Sequence, residues 1–254
     1  MISITFDVET DIHSDTYKSL EKGIPKLLLV LEKFKIKATF FVPAKLLEKF
    51  PEYFQNLENK GHEIGLHGYE HERFDELSFK EKEKRIEESI KIYKKIFKKN
   101  PKGFRAPQHS IDEQTLKILK RNNFIYDSSY TPFNFLQIIF FPKKLKHGLK
   151  GFFKKKGTHK INKDFYEIPT SSLILPFVSL PLRIFPWKIL KIYLFLLKKT
   201  NKDLIFYAHS WDLIELPKSK IDRIFSHKRL LKNLNRMIVY LSKKNKFVKM
   251  QDLI

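Results

Sequence analysis

Apolar positions along the chain recur with two alternating periods. Ile2 to Phe6 alternates in the manner of a strand and runs into Asp7-Val8-Glu9. Tyr17, Leu20, Ile24, Leu27, Leu31 and Phe34 then return at helical spacing. Ala38 to Val42 is a short apolar run closed by Pro43, the pattern of a strand buried on both faces. A helix is predicted from about Glu52 to Lys60, and a strand from Glu63 to Leu66 delivers His67. Ser78 caps a long charged helix to about Lys98, with Ile86, Ile90, Tyr93 and Phe97 on one face. Gly103-Phe104-Arg105 reads as a strand, Asp112 starts a helix to about Arg121, and Phe124 to Tyr126 is a strand ending at Asp127. Beyond Lys163 come a strand at Phe165 to Ile168, a helix from about Pro186 to Lys198, and a strand at Leu204 to Tyr207 ending at His209. A last helix near Lys228 to Lys243 precedes a strand at Phe247 to Lys249.

Strand and helix alternate throughout, which predicts a parallel sheet with helices outside it. Six or seven such units point to a closed or nearly closed barrel in one domain spanning 1–254. The polar residues that stand out lie where strands end: Asp7, Glu9, His67, His71, Arg105, Asp127 and His209. A parallel barrel gathers those ends at one rim. The stretch from Thr131 to Lys163 breaks the pattern. Pro132 to Phe141 is strongly apolar and is followed by many lysines with Phe152 and Phe153 among them. It reads as a basic insertion, either a loop whose apolar half packs on the barrel or a surface for peripheral contact with an anionic membrane.

The composition narrows the chemistry. Apolar residues make up 42% of 254, ample for a core. There is no cysteine, so any metal must be held by His, Asp, Glu or water. The net charge of +22 suits an anionic partner, or reflects lysines scattered through almost every segment. No recognisable nucleic-acid-binding module accompanies that charge, so no nucleic-acid partner is expected. The longest apolar candidate for a membrane span, Ile168 to Leu182, is broken by Pro169, Pro176 and Pro181 and is shorter than the ~20 residues a span needs. The opening strand pattern lacks the basic-then-apolar form of a secretory signal. Together with the missing cysteine, this leads to the expectation of a cytoplasmic protein, peripheral at the inner membrane face. The residues specify no oligomeric state.

His67 and His71 stand four apart, a spacing that one helical turn would bring to one side, although two surface histidines would look the same. Asp7 and Glu9 share a side-chain direction across Val8, so one can ligate a metal while the other acts as base. Arg105 would hold a carboxylate ionised, and Asp127 could pair with His209. Trp211 offers an aromatic wall for a sugar or other flat substrate, or is simply core. Such a rim would hold a water on a divalent cation and hydrolyse an amide or ester.

These segments, in this order, resemble the NodB-homology polysaccharide deacetylases, carbohydrate esterase family four. Thr5 to Glu9, His67 to His71, Phe104 to Pro107, Tyr126 to Tyr130 and Phe206 to His209 look like its five motifs. The resemblance implies a deformed (β/α)7 barrel and metal-dependent removal of an acetyl or formyl group from an amino sugar. It implies Asp7 as general base, Glu9, His67 and His71 as metal ligands, and His209 as general acid. Arg105 then supports Asp7, and Asp127 supports His209. Pro107 and Tyr130, within the motifs, are expected to line the substrate beside Trp211. The implied metal is Zn2+, with Co2+, Ni2+ or Mn2+ as substitutes. The family's common first motif has two adjacent aspartates before a glycine; here Val8 separates Asp7 from Glu9. That form looks like a branch acting on lipid-linked amino sugars. A catalytically silent carbohydrate- or lipid-binding module and a hydrolase of a small non-sugar amide are the competing readings.

Overall fold

The computed structural model describes residues 1–12, 14, 16–131, 157–173, 175–215 and 227–254. Among these described residues eight strands form one sheet in the order β6-β7-β5-β4-β3-β2-β1-β8. They are β1 (Ile2–Asp7), β2 (Thr39–Val42), β3 (Glu63–Leu66), β4 (Gly103–Phe104), β5 (Tyr126–Asp127), β6 (His159–Asn162), β7 (Phe165–Glu167) and β8 (Leu204–His209). Every pairing is parallel except β6 with β7. The helices are α1 (Ile24–Lys33), α2 (Ala44–Lys49), α3 (Pro51–Asn59), α4 (Phe79–Phe97), α5 (Glu113–Arg121), α6 (Ser179–Ile184), α7 (Trp187–Thr200) and α8 (His227–Ser242).

The sheet curls into a deformed β/α barrel, as expected. The gap between its two ends is bridged by the segment after β7. Ser171 N donates to Ile205 O at 3.2 Å, and Tyr207 N donates to Phe177 O at 3.0 Å. Strand alternation sorts the side chains. Ile2, Ile4 and Phe6 face outward into the main core with the helices, while Thr5 and Asp7 face inward. A second apolar cluster of Phe41, Tyr126, Ile168, Ile205, Met250 and Leu253 lies inside the barrel. Two glycines make room for it. A Cβ on Gly65 would stand 2.7 Å from the Phe41 ring, and one on Gly103 would stand 2.1 Å from the Tyr126 ring. The interior is therefore closed below, and polar groups are left at the rim where the parallel strands end.

Several boundaries differ from the sequence reading. The predicted single helix from Tyr17 to Phe34 is a wide turn at Ser19–Gly23 followed by α1. Helices α2 and α6 are too short to show a full apolar period. The predicted strand at Phe247 is reduced to one parallel bridge with Ile2. Strand β6 falls inside the predicted insertion, so its last part belongs to the sheet; residues 132–156 lie outside the described residues. Both predicted caps are present: Ser78 and Glu81 form a capping box on α4, and Asp112 accepts from Thr115 N on α5.

Candidate active site

Four strands deliver the site. β1 ends at Asp7 and continues through Val8 to Glu9, and β3 ends just before His67. β4 ends just before Arg105, and β8 ends at His209, which pairs in register with Asp7. Glu9, His67 and His71 each present a ligand atom within 4.8 Å of the others. Glu9 Oε1 lies 3.0 Å from both His67 Nε2 and His71 Nε2.

The His67 ring is set by its other nitrogen. Nδ1 lies 2.7 Å from Arg105 O, and a carbonyl only accepts, so Nδ1 carries the proton and Nε2 points at Glu9. Burial lowers the His67 pKa, but Asp7 and Glu9 outweigh it and the net shift is upward. Two imidazole nitrogens and a carboxylate oxygen converging on one point suit a divalent ion such as zinc with a position left open. A backbone carbonyl fixing one imidazole completes the fit. Glu9 is buried; its pKa nonetheless falls well below the carboxylate range through its contacts with the His67 and His71 rings. It is anionic, as a ligand must be.

The two histidines are brought together by a loop, not by the helical turn the spacing suggested. Gly68 (φ 75°) and His71 (φ 77°) are both left-handed, and the rings sit 5.4 Å apart. The loop is tied on both sides. Ala44 N and Lys45 N, at the start of α2, donate to Gly68 O and Tyr69 O at 3.0 Å each. Glu72 accepts from Tyr69 N.

Asp7 is nearly fully buried, and Arg105 is fully so. Arg105 NH1 donates to Asp7 Oδ1 at 2.8 Å and to Thr5 Oγ1 at 3.0 Å. Its Nε and NH2 donate to Ser128 O and Ser128 Oγ. Burial pushes the Asp7 pKa up, but His67, Arg105 and His209 together bring it below the usual value. Asp7 is thus a fixed, ionised carboxylate 3.5 Å from His67 Nε2.

His209 stands across from Asp7. Its ring stacks on Trp211 at 3.6 Å and 21°, and its Nε2 lies 2.6 Å from Tyr207 Oη. The expected pairing with Asp127 is absent. Tyr126 faces inward over Gly103, so Asp127, one residue on, faces outward. There it accepts from Ser129 N and Ser129 Oγ. Burial lifts its pKa against hydrogen bonds from Glu167 and Ser129. The acid beside His209 is Asp212, buried, with Oδ2 3.8 Å from Nδ1 and accepting from His209 N at 3.0 Å. Arg183 holds the other oxygen of Asp212 at 3.1 Å. Asp212 follows His209 by three residues, a spacing visible in the sequence but indistinguishable there from a solvated turn.

A cleft of about 510 Å³ opens over the cluster, lined by Glu9, Asp11, His71, Gln108, His209 and Trp211 among others. Trp211 is where the sequence reading put it. Two other expectations are corrected. Pro107 packs under Gly68 and leaves the cleft to Gln108, whose left-handed backbone (φ 53°) turns it outward. Tyr130 lines a separate hollow with Leu116 and Ile161.

Residues 1–126 match the family model described as polysaccharide deacetylase. Over that stretch, just under half of the chain, the protein is similar to the polysaccharide deacetylase family. The peptidoglycan deacetylase of Helicobacter pylori is 34% identical over 118 residues, which cover 44% of this chain and 40% of that protein. The peptidoglycan-N-acetylglucosamine deacetylase of Bacillus cereus is 31% identical over 124 residues, covering 49% of this chain and 42% of that protein. The chain therefore spans about two fifths of the length of these relatives. A provisionally named polysaccharide deacetylase from Mycobacterium smegmatis superposes with a TM-score of 0.71 at 18% identity, over 99% of this chain and 87% of that one. The deacetylase-family match contains Asp7, Glu9, His67, His71 and Arg105; His209, Trp211 and Asp212 lie beyond it.

Proposed function

We propose that the protein is a metal-dependent hydrolase that removes an acetyl or formyl group from an amino sugar. The observation that carries this reading is the convergence of Glu9, His67 and His71 on one point, with the Arg105-held Asp7 and His209 beside it. The names of the relatives, which act on peptidoglycan, support the substrate class. Glu9, His67 and His71 would hold the cation, most simply Zn2+, which when bound polarises the amide carbonyl and acidifies water.

The remaining work falls to the chain. Asp7, ionised beside Arg105, takes a proton from the attacking water as it adds to the carbonyl carbon. His209, held between Tyr207 and Trp211, gives a proton to the sugar nitrogen as the carbon–nitrogen bond breaks. The products are the carboxylic acid and the free amine. Trp211 offers its ring as a floor for a pyranose. A sugar on a lipid carrier, met at the cytoplasmic face of a membrane, suits the basic, cysteine-free composition.

The test is metal content and deacylation of N-acetylglucosamine oligosaccharides by purified zinc-loaded protein and by His67→Ala and His71→Ala. Both variants should lose bound zinc and activity together. Full activity in both would refute the reading.

A further inference from the structure

Helix α7 buries Leu190, Tyr193, Leu194 and Leu197 against the barrel. Its other side remains apolar. Ile189, Ile192, Phe195 and Leu196 are 50%, 62%, 51% and 44% exposed. A surface helix of a soluble protein normally turns polar residues outward, and lone exposed apolar side chains need no account. Four large ones within two turns of one helix do.

Their surroundings say what would cover them. Lys188, Lys191, Lys198 and Lys199 frame the stripe, and the helix has no Asp or Glu. Helix α8, whose C-terminal half meets the N-terminal end of α7, also has none, while carrying Lys228, Arg229, Lys232 and Arg236. The two helices meet through the Trp187 and Tyr240 rings, 6.2 Å apart and nearly perpendicular. Arg236 sits over Trp187, and Lys191 over Tyr240. Amphipathic aromatic rings, exposed Ile, Leu and Phe, and lysines long enough to reach outward past them are the features of a face that lies in a lipid headgroup layer. No helix among the described residues is long and apolar enough to cross a membrane, so the face would lie on the bilayer.

We infer that the α7–α8 flank of the barrel docks on an anionic lipid bilayer. A second copy of this chain fits less well, since two acid-free basic faces repel. Nucleic acid would satisfy the lysines but leave the apolar stripe against phosphates. The inference stands on residues outside the cleft and does not depend on the proposed reaction.

Sedimentation with vesicles of phosphatidylcholine alone and of phosphatidylcholine with phosphatidylglycerol tests it, using the whole chain and Ile192→Ser/Phe195→Ser. The unaltered protein should bind the anionic vesicles, weaken with salt, and bind neutral vesicles far less, at roughly fivefold per lysine engaged. The double variant should bind the anionic vesicles at least tenfold more weakly, with its melting temperature unchanged. Equal vesicle binding by the double variant would overturn the proposal, as would no binding by the unaltered protein. A loss of melting temperature in the variant would also overturn it, because the stripe would then be covered within the chain. A concentration-dependent dimer that the same substitutions dissociate without lipid would overturn it in favour of self-association.

Discussion

Replacing Arg105 with Met tests the electrostatic frame of the site. The methionine stem can still pass between the Phe41 and Tyr207 rings, which lie 4.2 and 5.0 Å from the guanidinium carbon. It cannot donate to Asp7 Oδ1, Thr5 Oγ1, Ser128 O or Ser128 Oγ. The substitution strands a carboxylate that is 2% exposed. Removing one partner of a buried ion pair typically costs about 3–5 kcal/mol, because the surviving charge remains desolvated. Asp7 now has a pKa below 3.8, so it stabilises the fold above its unfolded pKa, and that stability is lost as pH falls through the folded value. Without the guanidinium, burial is opposed by His67 and His209 alone, and the Asp7 pKa rises. Once it passes the unfolded value the sign reverses, and protonation of Asp7 then relieves the fold on acidification. Urea unfolding of metal-free protein should therefore show a deficit of about 3–5 kcal/mol at pH 7 that narrows at pH 5. With zinc restored, the acid limb of kcat/KM should move to higher pH. A deficit below about 1 kcal/mol at pH 7, the range of an exposed pair, or one unchanged between pH 7 and pH 5, would refute the reasoning.

The two remaining predictions concern the neighbours of that frame. His209→Ala should keep zinc occupancy and lose turnover by ~10²–10⁴, the usual worth of a general acid, whereas Asp127→Asn, on the outer face with Ser129 and Glu167, should leave the pH profile of turnover unchanged; an equal effect of the two would restore the Asp127–His209 pairing that the structure lacks. Gly103→Ala would drive a Cβ into a Tyr126 ring that Glu63 holds by a 2.8 Å hydrogen bond, and should lower stability by about 1–3 kcal/mol in a thermal melt, with wild-type stability as the contrary result.

Much of this protein is written in local pattern. The β/α alternation, the caps at Ser78 and Asp112, and the placing of Asp7, Glu9, His67, Arg105 and His209 at strand ends all follow from periodicity and from residue chemistry within a few positions. A parallel sheet does the rest for those five, since strands running one way must end together. What needed the tertiary structure is whatever depends on a neighbour distant in the chain. His67 and His71 meet because α2 and Glu72 hold a left-handed loop. Asp127 faces away from His209 because Gly103 admits the Tyr126 ring into the barrel, and a strand turns each successive side chain to the opposite face. Asp212 takes the place beside His209 because Arg183, 29 residues earlier, anchors its carboxylate. Local periodicity specifies that a strand exists and which residues alternate along it; only packing against a distant partner decides which of its two faces is the inside.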